Sequence, residues 1–288
     1  MRKRLMAAEV PEGTDLSGLE ALATRVAVAA GRLVVDERPR LVEASATKSS
    51  PTDIVTIMDT RAEELIRGLL LAERPADGFL GEEGNDHRGT SGITWVVDPI
   101  DGTVNYLYDI PAYAVSVAAV AGDPKTPGEW LVLAGAVADP ALRRVYHGAL
   151  GGGAYERGWD EPARTPGTLL RVGSVDALSG ALVGTGFGYT PQRRTDQGRI
   201  LLALLPQVRD IRRIGSAALD LCSVACGRLD GFYESGLNSW DMAAGWLMVT
   251  ESGGVVSGPN GGPPSAALTV AGNPVVQAQL LAVLDGPG

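Results

Sequence analysis

Trp95-Val96-Val97-Asp98-Pro99-Ile100-Asp101-Gly102-Thr103-Val104-Asn105-Tyr106 is a short apolar run that stops at an acid and continues through proline into Asp-Gly-Thr. That pattern predicts a buried strand delivering two carboxylates into a tight turn. Asp98 and Asp101 stand three apart with Pro99 between them, so neither an unbroken strand nor a regular helix fits, and both side chains can converge on one point. Converging carboxylates repel unless a cation sits between them. A divalent ion such as magnesium answers that need, because it takes one or two carboxylates together with water and substrate phosphate. Gly102 and Thr103 then offer backbone N–H groups where a turn opens towards a helix, an arrangement suited to an anion. Asp-Gly and Asp-Pro are also ordinary turn dipeptides, so a plain turn is the competing reading of the segment taken alone.

Further blocks flank this stretch. Upstream lie Lys48-Ser49-Ser50-Pro51-Thr52-Asp53, then Val55-Thr56-Ile57-Met58-Asp59, then Gly81-Glu82-Glu83. Downstream lie Trp240-Asp241-Met242-Ala243-Ala244-Gly245 and Glu251-Ser252-Gly253-Gly254. With the segment from Trp95 to Ser116, this series resembles, block by block and in order, the inositol monophosphatase family of magnesium-dependent, lithium-sensitive phosphatases. The blocks span most of the chain. Departures are small: Val104 and Tyr106 stand where Thr and Phe are commoner, and Ser239-Trp240 precede the downstream aspartate. They bear on substrate range and not on the chemistry.

The resemblance implies an α/β fold, a layered sandwich alternating α-β-α-β-α, and a site holding two or three magnesium ions. By the same resemblance Glu82, Asp98 and the Ile100 carbonyl hold one ion, and Asp98, Asp101 and Asp241 a second, with a third near Glu82. Thr103, bonded to Asp59, orients the attacking water, since a threonine hydroxyl is itself too weak a base. Gly102 and Thr103 grip the phosphate, and Lys48 sits at the matching place in a mobile loop near the metals. Asp101, Gly215, Ser216, Ala217, Glu234 and Asp241 match positions that meet the alcohol. Glu234 occupies the place where inositol-specific relatives carry a glutamate for a ring hydroxyl, which favours inositol 1-phosphate as substrate. Sister phosphatases for histidinol phosphate, fructose 1,6-bisphosphate or phosphoadenosine nucleotides share the metal motifs and stay open. So does a non-catalytic regulatory or protein-binding member.

Composition bounds these readings. At 288 residues with 45% apolar content, the chain can bury a full core as one unit or two joined halves, here expected as 16–175 with an antiparallel sheet and 176–288 with a layered α/β pattern. A net charge of −9 argues against nucleic acid as the main partner, because phosphates demand a basic surface. It does not argue against a small phosphorylated substrate at a metal site. Cys222 and Cys226, four apart in a helical pattern, read as buried small hydrophobes, and a reducing cytoplasm is the expected compartment. Glu9, Pro11 and Glu12 interrupt what Arg2-Lys3-Arg4 could begin as a signal peptide, and no run approaches the roughly 20 apolar residues of a membrane span. With two histidines, neither near a motif, zinc or a histidine-dependent hydrolase is not expected. A homodimer is implied by resemblance alone.

Periodicity places the elements. Leu16 to about Val35 is an amphipathic helix, and 44–53 a loop. Asp59 is a candidate cap of a helix running to about Glu73. Three strands follow the central motif, at 112–121, 131–138 and 144–149. Later come a helix at 192–205, a strand at 208–214, a helix opened by Gly215-Ser216 whose N-terminus is a second candidate anion or hydroxyl site, a strand ending at Glu234, a helix from Trp240 to Glu251 with Asp241 a candidate cap, and a last helix from Pro274 to Leu284. Arg209, Arg212 and Arg213 read as surface or subunit-contact arginines.

Overall fold

The computed structural model describes residues 8–39, 42–47, 54–84, 86–162, 165 and 167–285. Helix α1 (Leu16–Asp36) is capped by Asp15, whose carboxylate accepts the Gly18 N–H. Strands β1 (Ala44–Thr47) and β2 (Ile54–Thr56) pair antiparallel, and β2 runs straight into α2 (Ile57–Glu73). The loop expected over 44–53 thus begins as a strand, fixed by pairing that its own pattern does not announce. Lys48 lies outside the described residues.

Strands β3 (Gly78–Gly81), β4 (Ile93–Asp101), β5 (Ala114–Gly122), β6 (Trp130–Asp139), β7 (Arg144–Ala149), β8 (Gly153–Gly158) and β9 (Thr168–Leu169) form a seven-stranded sheet in that order, antiparallel except for β3 with β4. Helix α3 (Thr103–Leu107) is a single short turn between β4 and β5. A second sheet holds β10 (Leu182–Thr185), β11 (Asp210–Arg212), β12 (Gly231–Glu234), β13 (Val255–Ser257) and β14 (Thr269–Gly272), in the order β11-β10-β12-β14-β13. Between the sheets lie α5 (Ala217–Ala225) and α6 (Ser239–Glu251), numbered after α4 (Pro191–Leu204). Helices α1 and α2 cover the outer face of the first sheet, and α7 (Pro274–Leu284) with α4 the outer face of the second. The order of layers is therefore α-β-α-β-α.

This layering explains why β4 reads as a continuous apolar run: a strand covered on both faces has no wet side to mark with polar residues. Trp95 and Val97 face the core under α1 and α2, while Val96 faces the core under α5 and α6. Each such side chain contributes about 1.5–3 kcal/mol on full burial, which makes the strand a stiff support for the acids at its end. The Trp95 indole N–H donates to Asp77 Oδ2 at 2.9 Å, satisfying the one polar atom that its burial would strand. Helix α5 is buried nearly all round, as a middle layer must be.

Three local expectations are corrected. Thr56, not Asp59, caps α2: its backbone is extended and its hydroxyl accepts the Met58 N–H, while Asp59 returns from the helix to bond the Thr56 N–H. Asn238 takes the corresponding place before α6, with Asp241 bonded back to its N–H. The strand expected at 208–214 is confined to Asp210–Arg212, the length over which β10 offers parallel partners.

Candidate active site

The end of β4, the N-termini of α5 and α6 and the end of β12 meet around a cleft of roughly 300 Å³. Residues three apart on a regular strand point to opposite faces. Asp98 and Asp101 escape that rule because the pairing with β5 slips between them: Asp98 faces Ser116, and Asp101 faces Ala114. Three steps on one strand oppose two on the other, and the bulge turns both carboxylates inward. Pro99, which has no N–H to give a ladder, sits in the bulge, and the Ile100 N–H donates to Asp98 Oδ1 at 3.0 Å.

Gly102 then takes a left-handed conformation, φ +99°, and a Cβ there would stand 3.0 Å from the carbonyl oxygens of both Ala112 and Gly215. Only glycine fits without displacing one of them. The Thr103 hydroxyl lies 3.0 Å from Asp59 Oδ1 and 3.0 Å from the Ile100 carbonyl oxygen. Asp59, 1% exposed, also accepts the Thr56 N–H at 2.8 Å and the Thr56 hydroxyl at 2.5 Å through Oδ2. Capping box and site support are thus one carboxylate.

Asp101 Oδ2 accepts the Ser216 hydroxyl at 2.6 Å and the Ala218 N–H at 2.7 Å. The N-terminus of α5, a candidate anion site in the sequence, is therefore directed at the protein's own carboxylate. Gly215, Ser216 and Ala217 all line the cleft, but the Ser216 hydroxyl is committed to Asp101. On α6, Asp241 Oδ2 accepts the Asn238 N–H at 2.6 Å. One oxygen from each of Asp98, Asp101 and Asp241 falls within 4.8 Å of the others. Glu82, just past β3, lines the same cleft but is not one of these three.

Burial pushes Asp98 well above the ordinary carboxylate range, and the charges of Glu82, Asp101 and Asp241 add to the effect. Asp241 moves the same way, from burial and then from Glu82 and Asp101. Burial raises Asp101 to about 6 in spite of its bonds to Ser216 and Ala218. Three mutually repelling carboxylates, Asp98 and Asp101 buried and Asp241 half-buried, offer oxygens to one point and make a hard, all-oxygen donor set, and a divalent cation such as magnesium or manganese fits it.

The other side of the cleft is built by Glu234 at the end of β12, Asp220 on α5, and Arg193 and Arg213. Burial, then the charge of Asp101, pushes Glu234 up to about 8. The arginine cluster divides: Arg209 donates to the Gly180 carbonyl, Arg212 pairs with Asp210 at 2.6 Å, and Arg213, just past β11, lines the cleft. Arg213 is exposed, as expected of a surface arginine, and also lines the cleft, since the strand ends at Arg212 and the next residue leaves its alternation. Sequence reasoning also missed Asn105, whose amide donates to the carbonyls of Ala112 at 2.7 Å and Ile214 at 2.9 Å, tying the β4–α3 turn to the segment before α5. Glu63 was missed as well: it is fully buried in α2, and its carboxylate accepts the Glu83 N–H at 2.8 Å, fixing the backbone beside Glu82. Neither has a local signal, since each acts on residues remote in sequence. His147 bonds Glu20 at 2.7 Å, away from the cleft.

Known proteins resemble the chain over most of its length. A curated relative from Mycobacterium tuberculosis named inositol-1-monophosphatase SuhB is 49% identical over 245 residues, 83% of this chain and 80% of the relative. The solved structure of Mycobacterium tuberculosis SuhB superposes with a TM-score of 0.77 at 44% identity, covering 94% of this chain and 97% of that one. A Salmonella typhimurium relative named Nus factor SuhB is 38% identical over 272 residues, 92% of this chain and 95% of its own length. The profile of the inositol monophosphatase family matches residues 15–285, a span that holds every residue of the cleft, and the chain belongs to that family.

Proposed function

We propose that this protein is a magnesium-dependent phosphatase that hydrolyses inositol 1-phosphate to inositol and phosphate by direct attack of water. The observation that carries the reading is the convergence of Asp98, Asp101 and Asp241 beside the Gly102–Thr103 turn, in a chain of this family. In this reading Glu82, Asp98 and the Ile100 carbonyl would hold one ion and Asp98, Asp101 and Asp241 another, with room for a third near Glu82. Bound there, magnesium supplies a lowered pKa for water and neutralisation of the leaving alkoxide. Lithium, competing for the same acids, would inhibit.

The chain's own residues do the positioning. Asp59 holds the Thr103 hydroxyl at 3.0 Å, so that it can orient the incoming water. The N–H groups of Gly102 and Thr103 would take the phosphate where the turn opens into α3. Ser216 and the N-terminus of α5 favour the ionised form of Asp101 against its burial and aim it. Glu234 would accept a hydroxyl of the alcohol, with Gly215 and Ala217 shaping the wall beside it. Among the described residues the cleft is lined by no histidine or cysteine, and of its serines Ser216 donates to Asp101 and Ser235 accepts from Gln197 Nε2, with no base beside either that could activate it as in a serine hydrolase, which supports water as the nucleophile.

We further propose a cytoplasmic homodimer that engages neither nucleic acid nor membrane. The net charge of −9 supports the former, and among the described residues no helix is long and apolar enough to cross a membrane. A relative named Nus factor makes a regulatory role the second reading, and the complete acid set favours turnover. A panel of monoesters assayed for released phosphate separates the substrates. Inositol 1-phosphate should exceed histidinol phosphate, fructose 1,6-bisphosphate and phosphoadenosine nucleotides in kcat/KM, and a higher value for any of these would displace the inositol assignment.

A further inference from the structure

Asp220 lines the cleft from α5 but belongs neither to the three-acid cluster nor to the turn that would take the phosphate. It is 1% exposed, and its Oδ1 is buried with no hydrogen-bond partner in the protein. A buried carboxylate oxygen without a partner is costly, and a fold that keeps one at a ligand cleft has a use for it. The surroundings are shaped around it. A Cβ on Gly184 would stand 3.0 Å from Asp220 Oδ1, and a Cβ on Gly186 would collide with the Glu234 carboxylate. Two glycines around the end of β10 thus leave room for two acids on one side of the cleft.

Burial, then the charge of Glu234, pushes Asp220 up, and burial pushes Glu234 up to about 8; Arg193 and Arg213 line the same cleft, and the charge of Arg213 opposes both shifts while that of Arg193 opposes the second. An ammonium group brought to these acids would meet two guanidinium ions. A hydroxyl would not, and a carboxyl group offers it an acceptor oxygen whether protonated or ionised.

We propose that Asp220 is a specificity-determining residue that accepts a hydrogen bond from a second substrate hydroxyl, beside the one taken by Glu234. The site then selects a polyol phosphate that presents two hydroxyls to the side of the cleft built by β10, α5 and β12. An alcohol lacking the second hydroxyl leaves the Asp220 oxygen unpaired, and such a loss is worth about ten- to a hundredfold in specificity. This inference rests on the phosphatase reading above.

The test compares Asp220→Leu, close in shape but without an acceptor, with the wild type on inositol 1-phosphate and on 4-nitrophenyl phosphate at equal magnesium. The expected result is a loss of about ten- to a hundredfold in kcat/KM for inositol 1-phosphate, carried mainly by KM, with less than about a threefold change for the aryl ester. Asp220→Asn, which keeps one acceptor oxygen, should recover part of the loss; if the leucine variant does not fold, Asp220→Asn should itself lose activity on inositol 1-phosphate alone. Equal losses on both substrates would overturn the proposal, as would a larger loss on histidinol phosphate, whose ammonium group would then be the ligand. A wild type that turns over neither ester overturns the phosphatase reading instead, whereas an active wild type with indiscriminate variants overturns only the role of Asp220.

Discussion

Asp101 Oδ2 and the Ser216 hydroxyl lie 2.6 Å apart, joining stretches 115 residues apart in the chain. The bond fixes the carboxylate at the end of β4 to the cap of α5, so the two halves of the cleft are in register through a single acid. A hydrogen bond to a charged group is worth about 1.5–3 kcal/mol, roughly one to two decades in rate if it is felt at the reacting centre. Ser216→Ala should therefore lower kcat/KM for inositol 1-phosphate by about tenfold or more, and Ser216→Thr, which keeps the hydroxyl, should stay near wild type. Alanine and threonine variants of equal activity would show that the bond does not position Asp101.

Asp241→Asn addresses the repulsion among the acids. Removing one of three clustered acids relieves an unfavourable interaction in the metal-free protein, and the amide oxygen can still accept the Asn238 N–H. Turnover should vanish while the metal-free melting temperature rises, by about 2–4 °C for each 1 kcal/mol recovered. Magnesium should then stabilise the variant less than the wild type. A variant that melts lower than the wild type in chelator would mean that Asp241 is mainly structural.

Stability should depend on pH in one direction. Asp101, at about 6, and Glu234, at about 8, have folded values above their ordinary ones because burial disfavours the charged forms. The folded state then binds more protons than the unfolded one, so its stability falls as pH rises. The contribution is complete below about 4 and is lost as pH passes the folded values, a window from about 4 to 8. The metal-free melting temperature should fall between pH 5 and 8, and the increment on adding magnesium should grow, since metal binding needs the ionised acids. A metal-free melting temperature that rises across this interval would contradict the assigned shifts.

Much of this was legible in the sequence, for local reasons. Pro274 to Leu284 forms the expected helix because Asn273 accepts the N–H groups of Val275 and Val276 and Pro274 fits the first turn. The run from Trp95 to Asp98 reads correctly because burial on both faces leaves a continuous apolar signature. What escaped depends on tertiary approach. Ala44 to Thr47 alternates only small side chains, Ala with Ser and Thr, too weak a pattern to mark a strand, and is one through its pairing with β2. Asp220 looks like any polar residue one turn into a helix, and only the assembled cleft shows that its oxygen is unpartnered. Arg213 is indistinguishable from Arg212 until the end of β11 separates them.

Gly102→Ala should be disproportionately harmful to activity. The left-handed backbone costs an alanine about 1–2 kcal/mol, and its methyl would press on the carbonyls of Ala112 and Gly215, moving the turn that carries Thr103. The expected outcome is a modest drop in melting temperature with a loss of phosphate release well beyond what unfolding explains. Near-normal kcat/KM would show that the turn's geometry does not matter to the reaction.

The central claim is that the acids at Asp98, Asp101 and Asp241 act through a divalent ion, and it is tested most directly by phosphate release from inositol 1-phosphate after exhaustive chelation. Activity should fall to background in the stripped protein, return with added magnesium, and decline again with lithium. Undiminished turnover in the stripped protein would contradict the account.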